Sequence, residues 1–225
     1  MTSLDSSVKR TNKFDIQYLG GEEGIREDFS YRLKISTLER LSDKEIHELI
    51  GGSLTVKIGF KDQKGVSRYR FINGIVYQLT ELGMSRAPLT PEIWRYEVQL
   101  SSWMKKLEYV RDCRIFQKNG NTSMSIISDL LRELGFHDFK NEAGGDFPRR
   151  DYEVIYNETV SNFVRRLLQE DGVIWRFEHS ENKHLLIFSL DSTALPEIEA
   201  TSFGQLDAVK SFCEYTRHLP IKECA

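Results

Sequence analysis

Residues 156–179 read YNETVSNFVRRLLQEDGVIWRFEH, and the change of rhythm inside this stretch decides the fold class. Val160, Phe163, Val164, Leu167 and Leu168 recur at spacings of three and four, which puts them on one stripe of a helix. Thr159 or Ser161 offers an oxygen to the first free backbone N–H groups, and Gly172 suits the residue that ends a helix. From Val173 the pattern becomes a strand through Glu178, and a second strand runs from His184 to Leu190. The polar link Ser180-Glu181-Asn182-Lys183 between them is a hairpin signal. Upstream, Tyr152 to Tyr156 follows Pro148 as another strand. The apolar stripe is therefore expected to pack on one sheet made of that strand and the hairpin, leaving Arg165 and Arg166 on the solvated side.

Towards the N-terminus, Met124, Ile126, Ile127, Leu130, Leu131 and Leu134 form a second amphipathic helix, capped by Asn121 or Thr122 and stopped at Gly135. Trp103, Leu107 and Val110 fit a short helix. Before residue 102 the period is two. It runs through Phe29, Tyr31, Leu33 and Ile35, then Leu54, Val56, Ile58 and Phe60, and less regularly Tyr69, Phe71 and Ile72. Ile75, Tyr77 and Leu79 continue it, as do Trp94, Tyr96, Val98 and Leu100. Asp43 starts a short helix that Gly51 ends, and Gly74 marks a bulge or bend. Gly20-Gly21-Glu22-Glu23-Gly24 reads as a turn, and Gly65 and Pro88/Pro91 as loops.

Alternating strands between Gly-rich turns build an antiparallel barrel or sandwich. The fold class is therefore α+β: an antiparallel β-barrel domain over residues 13–111, followed by a small α/β subdomain over 112–192. Leu33, Val56, Ile58, Phe71, Val98 and Leu100 are expected in the barrel core, with Arg32, Lys34, Lys57 and Gln99 on the opposite face. From Thr193 the pattern weakens, with a strand at Ala208 to Tyr215.

The net charge of −3, with 31 basic against 34 acidic residues, gives no electrostatic footprint for nucleic acid or an anionic membrane. No apolar run approaches the ~18 residues of a membrane span, and the opening MTSLDSSVKR lacks the apolar core of a secretory signal. Cys113, Cys213 and Cys224 form no CxxC pair and are odd in number, so they read as free thiols. The five histidines contain no HExxH; His179 and His184 stand across the hairpin from one another, and as exposed hairpin residues they are read as binding no metal. Asp151 and Glu153 share a strand face, an arrangement that glycosidase carboxylates use, but a solvated edge is the simpler reading. No catalytic, metal-binding or cofactor-binding residue is assigned, and no cofactor.

Two stretches carry more than their composition. Arg111-Asp112-Cys113-Arg114-Ile115-Phe116-Gln117 precedes the Met124 helix, and the stretch from Tyr156 to His179 follows it. In that order and at that separation they resemble the N-terminal hub region of VgrG-like type VI secretion spike proteins. These are similar to the phage late control D protein and the baseplate hub of contractile-tailed phages. Phe29 to Leu33, Phe71 to Val76 and Tyr96 to Leu100 fit the same pattern, so the resemblance runs from about residue 13 to 190.

The resemblance implies a structural part of a contractile injection apparatus and no enzyme. It implies a homotrimer whose two barrels per copy match the hexameric rings of an Hcp-like inner tube protein, among baseplate proteins, carrying a needle and secreted effectors. Such a protein assembles in the cytoplasm and leaves through the machine without a signal peptide or stable membrane insertion. Arg114, Ile115, Phe116, Gln117, Tyr156, Glu158, Phe163, Leu167, Leu168 and Gly172 are the motif residues. Their implied role is architectural: Ile115 and Phe116 staple the barrel to the α/β unit, and Arg114 and Gln117 satisfy backbone groups there. Ala225 falls ahead of the family's oligonucleotide-fold and needle regions, so residues 193–225 are expected to start an incomplete second barrel. A chain ending there is expected to self-associate weakly. Asn73 stands where a bulkier or His-like residue is expected. The alternatives are a stand-alone effector-binding adaptor and a phage tail hub protein.

Overall fold

The computed structural model describes residues 14–61, 67–85, 92–117, 120–190 and 221–222. The period-two segments become β1 (Asp15–Glu22), β2 (Ser30–Thr37), β3 (Ser53–Lys61), β4 (Ser67–Ser85) and β5 (Ile93–Ser101), with α1 (Asp43–Leu49) between β2 and β3. A 3₁₀ helix (Trp103–Tyr109) leads into β6 (Arg111–Phe116), α2 (Ser123–Glu133), β7 (Phe139–Asn141), β8 (Glu153–Thr159), α3 (Val160–Glu170), β9 (Ile174–His179) and β10 (His184–Ser189), and β11 (Ile221–Lys222) comes last.

The first sheet has the order β1-β2-β5-β4-β3-β11 and is antiparallel throughout. It is a curled half-barrel, in keeping with the antiparallel barrel expected from the sequence pattern. Leu33, Val56, Ile58, Val98 and Leu100 are buried in its core with Leu41 and Leu49. Arg32 and Lys34 pair with Gln99 and Glu97 on the opposite face. Phe71 is a correction. Val56 faces Ile72 and Lys57 faces Phe71, so Ile72 takes the core position and Phe71 turns outward. Two adjacent apolar residues had left the phase open. Outside, the Lys57 ammonium lies 4.0 Å from the Tyr69 ring centre and 5.7 Å from that of Phe71.

The Gly20-Gly21 pair is a second correction, because it lies inside β1. Gly21 pairs with Tyr31, and a Cβ there would stand 2.4 Å from the Ser30 carbonyl oxygen, so the strands approach too closely for a side chain. The chain reverses later, over residues 23–29. Gly74 pairs in register with Leu54, and the bulges of β4 fall between Val76 and Gln78 and between Glu81 and Gly83. Ser42, one residue before the expected Asp43, caps α1 in a reciprocal arrangement with Glu45.

In the second unit, Thr122 caps α2 and Thr159 caps α3, while Gly135 and Gly172 follow them at φ +84° and +69°. The strand before α3 does not join the hairpin. Among the described residues β8 pairs with β6 as a two-stranded ribbon, while β7, β10 and β9 form a separate sheet with β7 parallel to β10. The α3 stripe nevertheless packs on both: Phe163, Val164 and Leu167 share one core with Ile155, Trp175, Leu186 and Phe188, and with Ile127, Leu130 and Leu131 of α2. Trp103, Met104 and Leu107 belong to that core, as does Ile75 of β4, so core membership changes near Ser102 rather than at residue 111. Residues 193–220, including the expected strand at 208–215, lie outside the described residues, as do Gly65, Pro88, Pro91 and the side chain of Phe60. Ile221 and Lys222 pair with Leu54 and Ser53 of the first sheet. Among the described residues no helix is long and apolar enough to cross a membrane.

Candidate functional site: the junction of sheet and α/β unit

β5 ends at Ser101, opposite Ile75, so among the described residues no strand lies beside β4 on that edge at Asn73. The β9–β10 hairpin fills the gap with its two end residues, His179 and His184, which pair directly. Nε2 of His184 accepts a hydrogen bond from the Trp103 backbone N–H at 2.9 Å. That assigns the ring proton to Nδ1, which donates to Asn73 Oδ1 at 2.8 Å. The Asn73 amide then donates to Ser53 Oγ at 3.0 Å and Thr55 Oγ1 at 2.6 Å. All these side chains are buried, so the relay fixes both the imidazole tautomer and the amide orientation. Burial above all, then the charges of His179 and Lys106, lowers the His184 pKa to about 3, and the ring stays neutral. Asn73→Ala should cost about 2 kcal/mol in urea unfolding, because it strands the Nδ1–H of His184.

His179 lies against the Asn73 backbone, with Nδ1 3.1 Å from its nitrogen and 2.9 Å from its oxygen. Its Nε2 is 3.2 Å from Glu23 Oε1, the same oxygen that accepts from the Tyr31 hydroxyl and, at 3.1 Å, from Arg70. Burial alone would raise the Glu23 pKa, but the hydrogen bonds from His179 and Tyr31 and the charges of His179 and Arg70 outweigh it and hold the value at about 2. Burial first, then the bond to Glu23, pushes the Tyr31 phenol up.

Glu23 begins the loop that joins β1 to β2, and this loop clamps the two units together. The Arg26 N–H donates to the Trp175 carbonyl at 2.8 Å, and its guanidinium reaches the Gly172 carbonyl at 3.3 Å. Arg26 holds a left-handed φ of +66°, a conformation a non-glycine residue keeps only where contacts impose it. Asp28 accepts from the Ser102 hydroxyl and from Arg165. Arg165, although its side chain is 40% exposed, therefore also ties α3 to this loop. Phe29 closes the junction, its ring centre 5.3 Å from Phe177, 4.5 Å from His179 and 5.2 Å from His184.

The motif residues lie elsewhere. Arg114 binds both Glu133 carboxylate oxygens, at 2.9 and 2.8 Å, and Asp112, so among the described residues it ties β6 to α2 through carboxylates rather than backbone groups. Ile115 is 63% exposed on the outer face of the ribbon, because alternation along β6 points it away from the core. Ile115→Ser should therefore change stability by less than about 0.5 kcal/mol, as thermal melting can check. Phe116 stacks on Phe163 at 5.5 Å, within the α/β unit rather than across to the sheet. Gln117 is exposed, and Tyr156 stands 78% exposed opposite Cys113. Glu158 pairs with Arg166 at 3.0 Å, while Phe163, Leu167 and Leu168 are buried and Gly172 lends its carbonyl to Arg26.

The junction residues Glu23, Arg26, Asp28, Asn73, His179 and His184 were not assigned from sequence. Their traces were two histidines at the hairpin ends and an asparagine in a strand interior.

A family model described as the phage tail baseplate hub (GPD) matches residues 22–210, a span that holds the whole junction from Glu23 to His184. The chain belongs to this family. Among hub-family relatives, the type VI secretion system spike protein VgrG1b of Pseudomonas aeruginosa is 28% identical over 174 residues, covering 77% of this chain and 22% of that protein. The actin cross-linking toxin VgrG1 of Vibrio cholerae is 26% identical over 170 residues, covering 76% of this chain and 14% of the toxin. The E. coli c3393 protein, described as a type VI secretion component structurally similar to the T4 tail proteins gp27 and gp5, shares the fold. Its TM-score is 0.63 at 22% identity, over 82% of this chain and 51% of that one. The hub chain thus spans about a fifth of the VgrG1b length.

Proposed function

We propose that this chain is the hub portion of a spike in a contractile injection apparatus of the type VI kind, a structural part rather than a catalyst. The observation that carries the reading is the hub-family match over residues 22–210, on a fold whose two cores are locked by a buried relay. In this reading the half-barrel contributes to a ring of three copies that docks the hexameric inner tube protein, with baseplate proteins around it and the needle and effectors below. The protein is assembled inside the cell and carried out by the machine itself.

A tagged copy in the source organism should recover the tube protein. Recovery of a toxin without tube protein would favour the adaptor reading, and muramidase turnover mapped to residues 14–190 would sink the structural one.

A further inference from the structure

Two exposed apolar faces lie on different units of the molecule. The first is the outer face of the β6–β8 ribbon. Cys113 pairs with Tyr156 and Ile115 with Val154, so the four side chains share that face, and Tyr152 extends the row just ahead of β8. Ile115, Tyr152 and Tyr156 are mostly exposed. Ile115 and Tyr156 belong to the stretches that carry the family resemblance, yet the fold turns both away from its core. At about 150–250 Å² for a whole aromatic side chain, this face presents on the order of 300 Å² of apolar surface, a size that marks a contact rather than scattered surface residues.

The second face is the end of the half-barrel away from the α/β unit. Trp94 of β5 lies between Thr37 of β2 and Met84 of β4, and Leu38, Leu82 and Met84 are exposed around it. Ser101, where β5 leads into the α/β unit, is about 23 Å further along the strand.

A face that meets its own copy across a twofold axis needs no second patch, whereas a head-to-tail contact needs two different ones on each copy. This chain has two. We propose, resting on the hub reading of three copies in a ring, that the ribbon face of one copy seats on the half-barrel end formed by Leu38, Leu82 and Met84 of the next. One such contact is small beside the roughly 800 Å² per partner of a standard interface, so a pair of copies holds weakly. Closing the ring makes three contacts at once, because each copy then uses both faces.

The thiol on the ribbon face supplies the test. Cys213→Ser and Cys224→Ser leave the exposed Cys113 in place, and Met84→Cys adds a thiol at the other end. A short bismaleimide should join these chains into two- and three-copy products, with few from chains carrying either thiol alone. Tyr156→Arg or Leu38→Arg, at exposed positions that should leave thermal melting unchanged, should each lower the yield about tenfold. Mixing those two variants should recover the two-copy product and no three-copy ring, since one intact pair of faces remains. Equal products from Cys113 alone would mean that ribbon meets ribbon and would overturn the proposal. Yields unchanged by both arginines, or no product at any concentration, would do the same. Native mass spectrometry of these chains with a candidate tube protein separates the two readings. A three-copy complex without the cross-links overturns the choice of faces and leaves the hub standing, and loss of both removes the hub as well.

Discussion

Phe163→Ala should destabilise the protein by about 3–5 kcal/mol, read as a lower urea midpoint at an unchanged slope. Phe163 is fully buried at the centre of the core shared by α2, α3 and both small sheets, and its ring stacks on Phe116. Truncation removes the transfer energy of the ring and leaves a cavity that three surrounding layers cannot collapse into. The contrasting variant is Arg166→Ala, three residues along the same helix. Its side chain is 39% exposed and bridges Glu158 at 3.0 Å and Glu170 at 3.3 Å. These are solvent-screened pairs, so the loss should be about 0.5–1 kcal/mol, more than the bare solvated residue the sequence suggested. Similar losses for the two variants would contradict the assigned helix face.

Acid should weaken the fold well above the pH at which ordinary carboxylates titrate. His184 has a folded pKa of about 3 against the ordinary histidine value of 6.5, so the unfolded chain takes up a proton that the folded chain refuses. The stability it contributes is complete above pH 6.5 and is lost as pH falls towards 3, at about 1.4 kcal/mol per unit. Glu23 adds to the loss lower down, between 4.5 and about 2, because its folded pKa is also depressed. Urea midpoints at pH 7, 5.5 and 4 should fall steadily, and a flat profile over that interval would refute a neutral, buried His184.

Sequence legibility followed the length scale of each interaction. The helices were readable because their stripes, caps and stop glycines are local: Thr122 and Thr159 cap where expected, and Gly135 and Gly172 end the turns. β1 was missed because its glycines answer a cross-strand approach to Ser30 and Tyr31 that no window of sequence contains. β8 was assigned to the wrong sheet because periodicity reports which face is apolar and not which strand lies alongside. The junction was the least legible part, since Asn73 and His184 are 111 residues apart and their pairing depends on β5 stopping at Ser101. The family resemblance was legible in motif residues that lie mostly inside the α/β unit, which is why it named the architecture and not the junction.

Native mass spectrometry of this protein mixed with a candidate hexameric tube protein from the same organism tests the proposed function most directly. The account predicts a complex of three copies of this protein on one six-membered ring. A protein that stays monomeric at every concentration and binds no ring would contradict it.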